Sequence, residues 1–121
     1  MKLVTTIIAM MCLVSVASAD DYKHSEDVAS GGATVFGFAG ERVNFECYTD
    51  AADCIFKVQH RIATTWTDFQ PADTSPSDTV RLFAGVPWAR YFGRTGYSVR
   101  ADSTRVLVTP DATTDVQVWA W

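Results

Sequence analysis

Alternation of apolar and polar residues constrains this chain more than any other feature. In Arg42-Val43-Asn44-Phe45-Glu46-Cys47 the apolar positions are Val43, Phe45 and Cys47; in Cys54-Ile55-Phe56-Lys57-Val58-Gln59 the matching set is Cys54, Phe56 and Val58. A period of two sends successive side chains to opposite faces of a strand, so each segment buries one face and presents the other. No stretch sustains a helical period. Further short strands are read at residues 63–69, 79–84, 86–92, 97–100, 104–109 and 115–121, separated by turns rich in Gly, Pro, Asp and Ser. Pro87 suits the start of a strand or an edge. About eight short strands at this spacing predict an all-β fold, a small antiparallel β-sandwich of immunoglobulin-like or jelly-roll-like type. At 121 residues and 48% hydrophobic content the chain is one globular domain, too apolar for disorder and too short for two cores.

The first 19 residues read as a secretory signal peptide: Lys2, then a mostly apolar run from Leu3 to Val16, then Ala17-Ser18-Ala19 as a cleavage pattern. That run is shorter than the roughly 20 apolar residues a membrane helix needs. The expected location is therefore secreted, periplasmic or on an extracellular surface, with no membrane span in the mature chain. Residues 20–32 are acidic, close on Ser30-Gly31-Gly32, and are expected to form a flexible N-terminal arm ahead of a sandwich domain at 33–121. The strands expected are also shorter than those of a membrane barrel and carry charges on their second face.

After cleavage two cysteines remain. If residues 48–53 close a hairpin, Cys47 and Cys54 lie opposite each other on the apolar face, and in an oxidising compartment such a pair is expected to form a disulfide. A metal site would need more ligands than these two.

Little in the sequence points to catalysis, and none of the residues is assigned a catalytic, metal or cofactor role. His60 reads as a surface residue at a strand end, and no nucleophile sits on a recognisable elbow. Asp50 and Asp53 flank the 48–53 turn, where aspartate serves the backbone. Asp20, Asp21, His24, Glu26 and Asp27 gather potential ligands, but their spacing matches no calcium loop and they read as a solvated tail.

Charge is distributed unevenly. Residues 20–54 hold eight acids and two bases, whereas residues 81–105 hold Arg81, Arg90, Arg94, Arg100 and Arg105 against Asp102 alone. Two readings stay open: acidic and basic ends orienting like molecules head to tail, or arginines pairing with acids of the same chain. Aromatics interleave with the arginines, giving Trp88, Arg90, Tyr91, Arg94, Tyr97 and Arg100 as candidate contact residues. Trp119 and Trp121 join them, because they alternate with Val116 and Val118 and one face of the last strand is left for a partner or solvent. That strand either pairs edge to edge with another subunit or closes its own sheet. An export signal and an acidic balance argue against a nucleic-acid partner.

The run from Phe45 to Phe69, with Val58-Gln59 leading to Thr65-Trp66-Thr67-Asp68-Phe69, resembles small β-sandwich structural proteins of bacteriophage particles, which often show a strand, a short turn and a W-T-D-like step. The resemblance implies a virion structural role and carries over no functional residue. The expected function is a non-enzymatic exported structural or adhesive subunit, self-assembling or binding a protein partner through strand edges and the arginine-aromatic face. The alternative is a secreted carbohydrate- or ligand-binding module that uses Trp88, Tyr91 and Tyr97 as a stacking platform.

Overall fold

The computed structural model describes residues 21–69, 79–92 and 98–121. Among these residues nine strands run in the order β1 (Tyr22–Val28), β2 (Thr34–Ala39), β3 (Asn44–Thr49), β4 (Cys54–Ile62), β5 (Thr65–Asp68), β6 (Val80–Leu82), β7 (Trp88–Tyr91), β8 (Ser103–Pro110) and β9 (Thr114–Ala120). They form two antiparallel sheets. One has the order β1-β9-β3-β7; the other has the order β2-β8-β4-β5, with β6 pairing the first residues of β4. The chain is an all-β sandwich, as the alternation predicts. Among the described residues, no helix is long and apolar enough to cross a membrane.

The core lies between the sheets and takes every second side chain. Phe45 and Cys47 from β3, Val116, Val118 and Ala120 from β9 face Phe36 and Phe38 from β2, Cys54, Phe56 and Val58 from β4, and Val106 and Val108 from β8. Phe45 is fully buried and meets the rings of Phe56 and Phe69 edge-on at 6.2 and 6.1 Å, an arrangement that ring quadrupoles favour over face-to-face stacking.

The segment between β3 and β4 is not a hairpin. Residues 50–53 carry the chain from one sheet to the other, so β3 pairs with β9 and β7, and β4 pairs with β8, β5 and β6. This corrects the expected disulfide: both thiols are buried and free. Across the arch Cys54 faces Thr49, its Sγ donating to Thr49 Oγ1 at 3.4 Å, while Cys47 lies one inward position further along β3. Burial pushes both thiols up from their ordinary pKa, which keeps them protonated and poorly nucleophilic.

The arch is held by polar clamps. Thr114 Oγ1 donates to Asp50 Oδ1 at 2.8 Å, accepts from Ala51 N at 3.0 Å, and lies 2.9 Å from Thr49 Oγ1. Asp53 accepts from Ala84 N at 2.9 Å and meets Arg81 at 3.5 Å. These aspartates serve the turn, as their placement in the sequence implies.

Two other expectations change, and one of the two readings of the last strand is decided. The segment expected to be a flexible arm forms β1, an edge strand paired to β9 from Tyr22↔Trp119 to Val28↔Thr114, because Val28 enters the core and Tyr22 covers Trp119. The last strand is internal, flanked by β1 and β3, and so offers no free edge. Residues 98–100 of the expected strand at 97–100 are bends or irregular. The signal segment at 1–19, Arg94 and Tyr97 lie outside the described residues.

His60 is also corrected. It occupies an inward position of β4 and is fully buried, with Nε2 2.7 Å from the carbonyl oxygen of Arg42 and its ring edge-on to Phe69 at 4.6 Å. A carbonyl only accepts, so Nε2 carries the hydrogen. Burial holds the imidazole below its ordinary value of 6.5, against the opposing pull of the Arg42 hydrogen bond and Glu41. The unfolded chain therefore takes up a proton that the folded one refuses, and stability present above the ordinary value is lost as pH falls below it. Urea unfolding is expected to shift to lower midpoint between about pH 7 and about pH 5, and to shift less in His60→Gln, which keeps a donor but cannot titrate. Equal shifts in the two proteins would contradict this role.

Candidate functional site

The outer face of the β1-β9-β3-β7 sheet follows from the same alternation that builds the core. Where Phe45, Cys47 and Thr49 point in, Asn44, Glu46 and Tyr48 point out; where Val116, Val118 and Ala120 point in, Gln117 and Trp119 point out. The register aligns these side chains in rows. One row runs Tyr22, Trp119, Glu46, Ala89 across all four strands, and the next runs His24, Gln117, Tyr48. Beyond the first row, Asn44 pairs with Tyr91, and Trp121 is locked alongside by its carbonyl, which accepts from Val43 N and Asn44 N at 3.0 and 2.9 Å.

Four aromatic rings make two contacts on this face. Tyr22 and Trp119 lie 4.9 Å apart and Tyr91 and Trp121 lie 5.6 Å apart. Tyr91 is 62% exposed and Trp121 42% exposed, large values for aromatic side chains held by neighbours. Between the first two rows lies a hollow of about 440 Å³ lined by Glu46, Cys47, Tyr48, Pro87, Trp88, Ala89, Gln117 and Trp119. The small side chain of Ala89 leaves the space that a longer residue in this row would fill. The volume falls in the range of small-molecule sites.

Polar groups border the aromatic walls. The Tyr91 hydroxyl donates to Glu46 Oε1 at 2.5 Å, an interaction that raises the phenol above its ordinary pKa. It fixes one carboxylate oxygen and leaves the carboxylate a second oxygen to accept with. Gln117 adds an amide, both donor and acceptor. Apolar ring faces beside a carboxylate and an amide can cover the C–H face of a polyhydroxylated ligand and pair its hydroxyls.

The residues singled out in the sequence divide between environments. Tyr91, Trp119 and Trp121 come together on this face. Trp88 borders the hollow, but its ring packs on Phe56 at 5.2 Å, so it is a seam of the core and not a free platform. Arg90 pairs with Phe45 in register, on the face opposite to Tyr91, and its guanidinium lies 5.4 Å from the Phe92 ring centre. Arg100 is exposed outside any strand. The arginine-aromatic run is thus divided by alternation. Other arginines of the basic stretch are engaged within the chain: Arg81 with Asp111 at 2.5 Å, and Arg105 with Gln59 Oε1 at 2.8 Å and over the Trp66 ring at 4.3 Å. Tyr22, Glu46, Tyr48 and Gln117 belong to the face and were not singled out in the sequence. The outward pair Asn44 and Glu46 was nonetheless implied once Phe45 and Cys47 were assigned inward, whereas Tyr48 fell in the expected turn at 48–53.

No protein-family model, curated protein or solved structure matches this chain.

Proposed function

We propose that this chain is a non-enzymatic, exported carbohydrate-binding module, adhesive by contact, whose ligand lies across the outer face of the β1-β9-β3-β7 sheet. The observation that carries the reading is the hollow bounded by Trp119 and Tyr48, with Glu46 and Gln117 at its rim. A saccharide ring presents an apolar C–H face and a hydroxyl edge, and this surface pairs an aromatic wall with groups that accept and donate. The lining contains one carboxylate, Glu46, already engaged by Tyr91; glycoside cleavage generally uses two carboxyl groups flanking the bond. Two features weigh against assembly through the arginine-aromatic face and the last strand. Among the described arginines, Arg90 lies on the face opposite to Tyr91 and Arg81 and Arg105 are bonded within the chain, and β9 is internal.

The test is a glycan array probed with the mature protein, followed by titration of the best-retained oligosaccharide. Trp119→Ala is expected to weaken binding roughly tenfold to a hundredfold, the range of an aromatic anchor. Trp66→Ala, on the other sheet, is expected to leave it unchanged. No retained glycan, or equal effects of the two substitutions, would contradict the proposal.

A further inference from the structure

We infer that two copies of this chain pair through β2, joining their five-stranded sheets into one continuous sheet about a twofold axis at Gly37. The observation is independent of the saccharide site and concerns the opposite sheet.

β2 is an edge strand. Its partner is β8, paired without a register break from Thr34↔Val108 to Ala39↔Ser103, and among the described residues no strand pairs its other side. An edge strand presents unpaired backbone donors and acceptors, and proteins that stay monomeric blunt such edges with charges, prolines, bulges or short length. The other edges of this molecule carry those devices. β1 holds Lys23, Glu26 and Asp27 and a register break between Ser25 and Val28. β7 is four residues long, carries Arg90 and follows Pro87. β5 and β6 are four and three residues long, with Asp68 and Arg81 in ion pairs. β2 itself holds no charge, proline or register break: Thr-Val-Phe-Gly-Phe-Ala is six residues of regular strand within a charge-free run from Val28 to Gly40, and Arg42 Nε engages its last carbonyl, at Ala39, at 2.9 Å.

The occupant that fits is a second copy. Two molecules of the same net charge, −4 here, repel least where no acid lies; β2 holds none, and Lys23 and Arg42, each 6.0 Å from the Phe38 ring centre, set positive charge beside one end of it. The residue pattern also fits an antiparallel self-pair. Phe36 and Phe38 face the core, whereas Val35, Gly37 and Ala39 face outward, with Val35 54% exposed. Directly opposed residues in an antiparallel ladder share a face. An axis at Gly37 sets Phe36 beside Phe38 of the partner subunit on the inner side and Val35 beside Ala39 of the partner subunit on the outer side. Gly37 meets its own copy on the axis, and a Cβ built there meets nothing within 4 Å.

The register gives the test. Sedimentation velocity of the mature protein across a micromolar-to-millimolar series should show a monomer–dimer equilibrium. Gly37→Cys under mild oxidation should cross-link to a covalent dimer, since Cys47 and Cys54 are buried. V35K/A39K places like charges opposite each other twice and should weaken the dimer roughly tenfold or more. V35K/A39E places opposite charges in the same register and should restore it. Circular dichroism would check that the outward-facing substitutions leave the fold intact. A monomer throughout the series, cross-linking of Gly37→Cys undiminished by V35K/A39K, or equal weakening by both charge variants would overturn the pairing.

Discussion

Phe45→Ala is expected to remove about 3–5 kcal/mol of stability, the range for deleting a buried aromatic ring. Phe45 is fully buried on β3, its ring wedged between Phe56 of β4 and Phe69 after β5. It is therefore a contact between the two sheets and not within one. The surrounding residues belong to paired strands and can collapse little, so most of the cavity persists. Domains of this size hold about 5–15 kcal/mol in total, so the variant should be near the edge of folding at room temperature. Urea unfolding measures it. Phe45→Leu keeps most of the volume and should cost much less. A loss below about 1 kcal/mol for the alanine variant would mean that the two sheets do not meet at this ring.

The second large effect is expected at the arch between β3 and β4. Thr114→Val preserves shape and deletes a hydroxyl that serves Asp50, Ala51 and Thr49 at 2.8, 3.0 and 2.9 Å. Thr114 and Thr49 are buried, but Asp50 and Ala51 are exposed and can turn to water, and Thr49 keeps its bond to the Ala52 carbonyl at 2.7 Å. A loss of about 1–2 kcal/mol is expected, the worth of the hydrogen bonds that the buried Thr114 hydroxyl makes. Thr114→Ser keeps the hydroxyl and should lose far less. The Asp50 carboxyl, held below its ordinary pKa first by the Thr114 hydrogen bond, should titrate higher in the valine variant. Equal losses for valine and serine would assign the effect to the methyl group and not to the network.

The elements were legible where alternation was strong. β3, β4 and β9 read as period two in sequence, and the inward sets read for them belong to the core found in the structure. Pairing was less legible. Residues 42–59 fit a hairpin and a sheet-crossing arch equally well, because both keep Phe45, Cys47, Cys54 and Phe56 inward. The hydrogen-bond partners of the turn decide between them: Asp50 and Ala51 bind Thr114, more than sixty residues away in sequence. β1 was hidden by its charges, since Lys23, Glu26 and Asp27 suit a solvated tail as well as a protected edge. The site was half legible. Trp119 and Trp121 stand out against Val116 and Val118, but the rows that align them with Tyr22, Glu46 and Tyr48 depend on β9 lying between β1 and β3. No local pattern encodes that order.

Indole N–H resonances of the four tryptophans test the binding face most directly. Trp119 and Trp121 lie on it, Trp88 at its rim with its ring in the core, and Trp66 under Arg105 on the other sheet. Titration with the array's best oligosaccharide is predicted to move the Trp119 signal most and leave Trp66 in place. Movement of Trp66 with Trp119 unchanged would contradict the account.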